Sequence, residues 1–182
     1  MTTPTLAERI LALEHALSGV PHAFGGALAL AYYAEPRATI DIDLNVFVST
    51  DRFPEIAGQL RQLGVAVDEP SVAALVRHDG QVRVMWDATP IDLFFSYDPF
   101  HDAAGAARHS VPFGDETIAI LAAEHLVVCK VVYDRPRDWV DIDAMVATGY
   151  EIDAAEVLRW VARIARDEDH RYNRIAALLT RR

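Results

Sequence analysis

A chain of 182 residues with 52% hydrophobic and 24% charged side chains can bury one sizeable core, with or without a small helical appendage, which excludes wholesale disorder. Its formal net charge of -10, from 27 acidic against 17 basic residues, makes non-specific attraction to a nucleic-acid backbone a poor default. The lone cysteine, Cys129, excludes an internal disulfide and fits a reducing compartment.

Leu6, Ile10, Leu13 and Leu17 recur at helical spacing, and Gly19-Val20-Pro21 ends that helix. His22-Ala23-Phe24 reads as a short extended piece closed by Gly25-Gly26. Ala27 to Tyr33, rich in Ala and Leu, predicts a helix that starts at the glycines and breaks at Glu35-Pro36-Arg37. From Thr39 to Val48, apolar Ile40, Ile42, Leu44 and Val46 alternate with polar neighbours, the period of a half-buried strand. Ser49-Thr50-Asp51 then caps a helix ending near Leu63. Val82 to Trp86 and Ile91 to Phe95 predict two antiparallel strands joined by the turn Asp87-Ala88-Thr89-Pro90, and Val111 to Phe113 predicts one more short strand.

Gly114-Asp115-Glu116 marks the expected boundary between a core of residues 1–114 and a C-terminal helical region of residues 115–182. Helices are expected there over Ile120 to Tyr133, Trp139 to Ala147, Ala154 to Ala165 and Arg171 to Leu179. Strands first and helices later predict the α+β class. Cys129, in the run Leu126-Val127-Val128-Cys129, is expected to be a small buried hydrophobe. The start Met-Thr-Thr-Pro has no signal-peptide character, and no stretch approaches about 18 uninterrupted apolar residues. A cytoplasmic protein without a membrane span is the expectation.

The candidate chemistry centres on Asp41-Ile42-Asp43. On a strand, residues two apart share a face, so Asp41 and Asp43 present adjacent carboxylates with Ile42 behind them. Such a pair repels itself, and a hard cation bound by oxygen, such as magnesium, relieves the repulsion. A solvated strand edge is the plainer account. Gly25-Gly26 at a helix start lets backbone N–H groups approach an anion; a tight turn explains the same pair. Asp92 stands in the otherwise apolar run Pro90-Ile91-Asp92-Leu93-Phe94-Phe95, where an acid is costly without a partner or a task. If its strand lies beside the first, it completes a three-carboxylate site. Two acids would hold metal and phosphate, and the third would accept a proton from an attacking hydroxyl or bind a second metal.

Phe24-Gly25-Gly26, then a helix, then Arg37-Ala38-Thr39-Ile40-Asp41-Ile42-Asp43-Leu44, resembles the signature of the polymerase-β-type nucleotidyltransferase superfamily: a hydrophobic residue, Gly, then Gly or Ser, with Asp-x-Asp a helix later. The Arg and Thr before the acids resemble the AbiEii-type nucleotidyltransferases of bacterial toxin–antitoxin and abortive-infection systems. So does Glu124 with Lys130, followed by Arg137-Asp138-Trp139-Val140-Asp141-Ile142. The resemblance covers residues 22 to 145 and implies a nucleotidyltransferase-type mixed β-sheet core flanked by helices.

It also implies roles. Gly25 and Gly26 would contact the triphosphate; Asp41 and Asp43 would ligate magnesium, with manganese as a substitute; Asp92 would be the third catalytic acid and metal ligand. Lys130 would reach a phosphate as a point charge. Asp138 reads as a helix cap and Asp141 as orienting Lys130 near the nucleotide. Arg37 would support the acidic site or the substrate. For Arg37, Asp138 and Asp141, structural ion pairs are the competing account. The implied reaction is attack of an acceptor hydroxyl on the α-phosphate of an NTP with loss of pyrophosphate.

The acceptor stays open between RNA, a protein hydroxyl and a small molecule such as an aminoglycoside or lincosamide. The segment from Arg159 to Arg182 is locally basic and could touch RNA, although a solvated helical face is the plainer account. A catalytically silent nucleotide- or partner-binding module of the same fold is the alternative to an enzyme, and a toxin held in check by an antitoxin is a third reading. There is no His/Cys cluster at zinc spacing and no Walker-type loop. His101, His109, His125 and His170 are expected at the surface or in caps, and Trp86, Trp139 and Trp160 in the core.

Overall fold

A computed structural model describes residues 3–180, Glu69 by its backbone alone. Helix α1 (Leu6–Ala16) opens on a capping box, in which the Glu8 N–H donates to Thr5 Oγ1 at 3.3 Å and the Thr5 N–H donates to Glu8 Oε2 at 2.7 Å. Strand β1 (His22–Phe24) and the five-residue helix α2 (Gly26–Leu30) follow. Then come β2 (Ile42–Ser49), a 3₁₀ turn (Thr50–Arg52) and α3 (Phe53–Gln62). The middle of the chain forms α4 (Glu69–Asp79), β3 (Gln81–Trp86), β4 (Thr89–Ser96) and α5 (Pro99–Ala107). Next are β5 (His109–Phe113) and β6 (Glu116–Ile120). Four helices complete the described chain: α6 (Ala123–Tyr133), α7 (Pro136–Ala147), α8 (Ala154–Ala165) and α9 (His170–Leu179).

The strands form one mixed sheet in the order β3-β4-β2-β1-β6-β5. Within it β2 runs parallel to β4 and β1 parallel to β6, while β1–β2, β3–β4 and β5–β6 are antiparallel. The class is α+β with a mixed sheet, as the order of elements predicts. Alternation sets which side chains enter the core. Val82, Val84 and Trp86 of β3 are buried, as are Ile91, Leu93 and Phe95 of β4 and Ile42, Leu44 and Val46 of β2. Phe53 of α3 packs edge-on to Phe95 with ring centroids 6.0 Å apart.

Contacts divide the chain into two compact units, Met1–Leu28 with Ala38–Leu121, and Ala29–Arg37 with Ala122–Arg182. The first holds the sheet. The second packs Val127, Val128 and Val131 of α6, Trp139, Ile142 and Met145 of α7, Val157 and Val161 of α8, and Ile175 of α9 into a helical core. Within it, Thr148 Oγ1 donates to the Tyr33 carbonyl at 3.0 Å, and Tyr33 meets Tyr150 edge-on at 4.9 Å. The expected boundary at residue 114 falls inside the β5–β6 hairpin.

Several local expectations need correction. The helix predicted from Ala27 to Tyr33 stops at Leu30, and the Tyr32 and Tyr33 N–H groups turn back to carbonyls three residues earlier. Strand β2 begins at Ile42, so Asp41 lies on the approach to it. Thr39 Oγ1 accepts from the Asp41 N–H at 3.2 Å there, an alternative to ladder pairing. Helix α4 escapes a periodicity reading because Val76 alone among its apolar residues is fully buried while Leu75 is exposed. The helix predicted from Ile120 begins at Ala123, and Glu116–Ile120 forms strand β6, which buries alternate residues Ile118 and Ile120. Cys129 is only partly buried, because it lies on α6 beside the fully buried Val128 but not on the same stripe.

Candidate active site

The geometry begins with two strand registers. In the parallel β2–β4 pair Asp43 stands opposite Asp92, and in the antiparallel β3–β4 pair Arg83 stands opposite Asp92. Residues opposite one another project to the same face, and so do residues two apart. Asp43, Asp92 and Arg83 therefore share one face, and Asp41 precedes Asp43 by two residues on that side. The other face carries Ile42, Leu44, Val82, Val84, Ile91 and Leu93, all buried. Hydrophobic burial of one face is what holds the polar row on the other, since a one-residue slip would put Asp43 and Asp92 into the core.

Arg83 is a site residue that the spacing of the acids does not reveal. Its guanidinium grips Asp92 as a fork, Nε donating to Oδ1 at 2.7 Å and Nη2 to Oδ2 at 2.6 Å. The same Nη2 reaches Asp41 Oδ2 at 3.5 Å. The hydrogen bonds to Asp92 raise the Arg83 pKa further above its ordinary value, against the opposing effect of burial, and the charges of Asp92, Asp41 and Asp43 add to the rise. All three predicted acids thus act on one cation. Arg83 was hidden by the turn. A four-residue turn from Asp87 to Pro90 would pair Trp86 with Ile91, whereas the actual turn is Asp87-Ala88, Trp86 pairs with Thr89, and Arg83 falls opposite Asp92. Asp87, at φ 52, gave the available signal, because an Asp at such a tight turn tolerates the left-handed region.

Gly25 and Gly26 meet the acids through their missing side chains. A Cβ on Gly26 would lie 1.7 Å from Asp43 Oδ2, and Gly26 has φ +53. A Cβ on Gly25 would lie 2.9 Å from Asn45 Nδ2. The Gly25 N–H donates to the Asp43 carbonyl at 2.9 Å, so this bend is stitched to β2. Helix α2, with five residues, is too short to supply the helix-terminus field that the sequence reading invoked.

Among the described residues, no three His, Cys, Asp or Glu side chains stand together as a metal-binding group. The positive charge that Asp92 and Asp41 share is the guanidinium. The donor chemistry nonetheless fits a hard divalent cation: three carboxylates on one face, two of them in register, with oxygen as the donor atom.

The second unit holds its own polar cluster. Lys130 Nζ donates to Asp141 Oδ2 at 2.5 Å, and Arg37 grips the same carboxylate with Nε and Nη2, each at 3.0 Å. Lys130 and Asp141 are 5% and 3% exposed, which makes their pairing obligatory. Burial alone would push the Asp141 pKa up, but the bonds from Arg37 and Lys130 prevail and hold it below the ordinary carboxylate value. Asp138, buried on α7, accepts from the Arg135 N–H at 3.2 Å, the capping role read for it. Arg37, Asp141 and Lys130 thus form one ion-paired group.

Of the histidines expected at the surface, His109 and His170 are exposed, but His125 is buried at 3% exposure, with Nε2 3.8 Å from Glu156 Oε1. It lies on the inner stripe of α6 between Leu126 and Ala123, which the surrounding apolar run should have indicated. Trp86, Trp139 and Trp160 are core residues, as expected.

A family model described as Nucleotidyl transferase AbiEii toxin, Type IV TA system, matches residues 9–182. A search of curated proteins finds no match. Among solved structures, the antibiotic-resistance factor ANT(2'')-Ia in solution aligns with TM-score 0.62 at 17% identity, over 96% of this chain and 95% of that one. The same factor in complex with adenylyl-2''-tobramycin aligns with TM-score 0.56 at 15% identity, over 98% of this chain and 99% of that one. A putative nucleotidyltransferase from H. pylori aligns with TM-score 0.51 at 15% identity, over 96% and 92% of the two chains. At these identities the likeness is one of fold.

Proposed function

Because this chain belongs to the AbiEii nucleotidyl transferase toxin family, we propose that it transfers a nucleoside monophosphate from an NTP to an acceptor hydroxyl in a magnesium-dependent reaction centred on Asp41, Asp43 and Asp92. The observation that carries this reading is the register of Asp43 against Asp92, with Asp41 on the same side. Asp41, Asp43 and Asp92 are the proposed ligands of the cation, and manganese is an acceptable substitute. Bound magnesium would supply charge neutralisation for the phosphates and for the charge developing on the leaving group.

The remaining work falls to the chain. Asp92 accepts the proton of the acceptor hydroxyl as its oxygen forms a bond to the α-phosphorus. The bond from that phosphorus to the bridging oxygen breaks, and pyrophosphate leaves with the electron pair. The Gly25-Gly26 bend keeps the space beside Asp43 clear of any Cβ.

Three acceptor classes follow: RNA, a protein hydroxyl, and a small polyhydroxylated molecule. The last is the class named with ANT(2'')-Ia. The test incubates the protein with each of four labelled NTPs and magnesium, offering total RNA, cell lysate and an aminoglycoside panel. Label should move to one acceptor class with the wild type and not with Asp43→Asn. Transfer undiminished in Asp43→Asn would refute the site, and tight NTP binding without transfer to any acceptor would favour a silent binding module. As a toxin of a type IV system, the protein should also arrest growth when expressed without its antitoxin, and Asp41→Asn should relieve the arrest.

A further inference from the structure

We infer that Arg83 and the divalent cation compete for the same carboxylate oxygens of Asp92 and Asp41, so that the guanidinium must leave Asp92 before the acids can ligate metal. This inference rests on the proposal that those acids form a metal site.

Charge and space set the two cations against each other. Both oxygens of Asp92 are engaged, Oδ1 by Nε at 2.7 Å and Oδ2 by Nη2 at 2.6 Å, and Nη2 also faces Asp41. A magnesium ion needs its oxygen ligands at about 2.0–2.1 Å in near-octahedral array. A planar guanidinium lying against both oxygens takes up the lone pairs that face it, and its positive charge repels the incoming ion. Arg83 nevertheless has solvent to move into: its side chain is 55% exposed, and it stands on β3 at the end of the sheet order. Asp92, 20% exposed and set in register between β2 and β3, has no such freedom.

The arrangement has a physical purpose. Carboxylates on one face, two of them in register, repel one another, and the guanidinium offsets part of that charge when no metal is bound. The acids are thereby kept together at the cost of metal affinity. Cation occupancy then depends on displacing one internal competitor.

The experiment measures Mn²⁺ affinity by titration calorimetry for the full chain and for Arg83→Gln, with Arg52→Gln as a control that removes an exposed arginine paired to Glu55. In parallel, the arginine Nε–H resonances of the wild type are followed as Mg²⁺ is added, the Arg83 signal being assigned by its loss in Arg83→Gln. The expected result is Mn²⁺ binding about five- to tenfold tighter in Arg83→Gln and changed less than twofold in Arg52→Gln. The Arg83 resonance should leave its ion-paired position in step with Mg²⁺ saturation. If Mn²⁺ binds Arg83→Gln and wild type alike, or both arginine variants tighten equally, or the resonance stays put at saturation, the competition is wrong while the metal site stands. If no protein binds either cation, the metal-site reading falls, and the competition with it.

Discussion

Gly26 and Asp43 are in such close approach that a single methyl group on the glycine would lie 1.7 Å from Asp43 Oδ2. The diglycine bend is therefore part of how β2 presents its carboxylate. Gly26→Ala meets two penalties, the φ of +53 and the collision, and should destabilise the protein by about 2–3 kcal/mol. Gly25→Ala, whose Cβ would approach the Asn45 side chain at 2.9 Å, should cost about 1 kcal/mol. Urea midpoints at constant m-value measure both, and a Gly26→Ala protein as stable as wild type would contradict the close approach.

Divalent cation should stabilise the fold if the acids bind it. For a dissociation constant near 1 mM, 10 mM magnesium adds about 1.4 kcal/mol, or a Tm rise of about 3–5 °C for a chain of this size. The rise should vanish with EDTA and be absent from Asp41→Asn/Asp43→Asn. An equal rise in that variant would place the binding elsewhere.

The Lys130–Asp141–Arg37 cluster should be structural in its own right. Asp141→Asn leaves Lys130, at 5% exposure, with only the more distant Asp138 carboxylate at 3.9 Å and should cost about 3 kcal/mol. Replacing the less buried Arg37 with Met should cost less, because Lys130 keeps its partner. Chemical denaturation of the two variants gives the ranking, and the reverse order would mean that Arg37 is the principal counter-ion.

His22 and Glu14 predict a pH window. Burial pushes the His22 pKa down, but the Glu14 carboxylate and the Val20 carbonyl together outweigh it and raise the pKa above 6.5. Glu14 is likewise opposed by burial, yet bonds from His22 and the Ala119 N–H bring its pKa below 4.5. A raised histidine contributes stability that is complete below its unfolded pKa and is lost as pH rises through the folded one. A lowered carboxylate contributes stability that is complete above its unfolded pKa and is lost as pH falls through the folded one. The pair is thus most stabilising between pH 4.5 and 6.5. His22→Gln should lower Tm more at pH 5.5 than at pH 8.5, and a loss independent of pH would show that His22 acts by packing alone.

That Asp41 and Asp43 lie on one side was legible in the chain because a strand's period of two fixes which neighbours share a face. The four C-terminal helices were legible for the same local reason, apolar residues recurring every three to four positions. Registers between strands are different in kind. They depend on the length of a turn and on burial of Ile42, Leu44, Ile91 and Leu93 by elements distant in sequence. Only the folded chain could therefore bring Arg83 opposite Asp92, or show that Gly26 yields its Cβ volume to Asp43. Local sequence names the acids; the cation that shares them in this structure is chosen by a strand pairing.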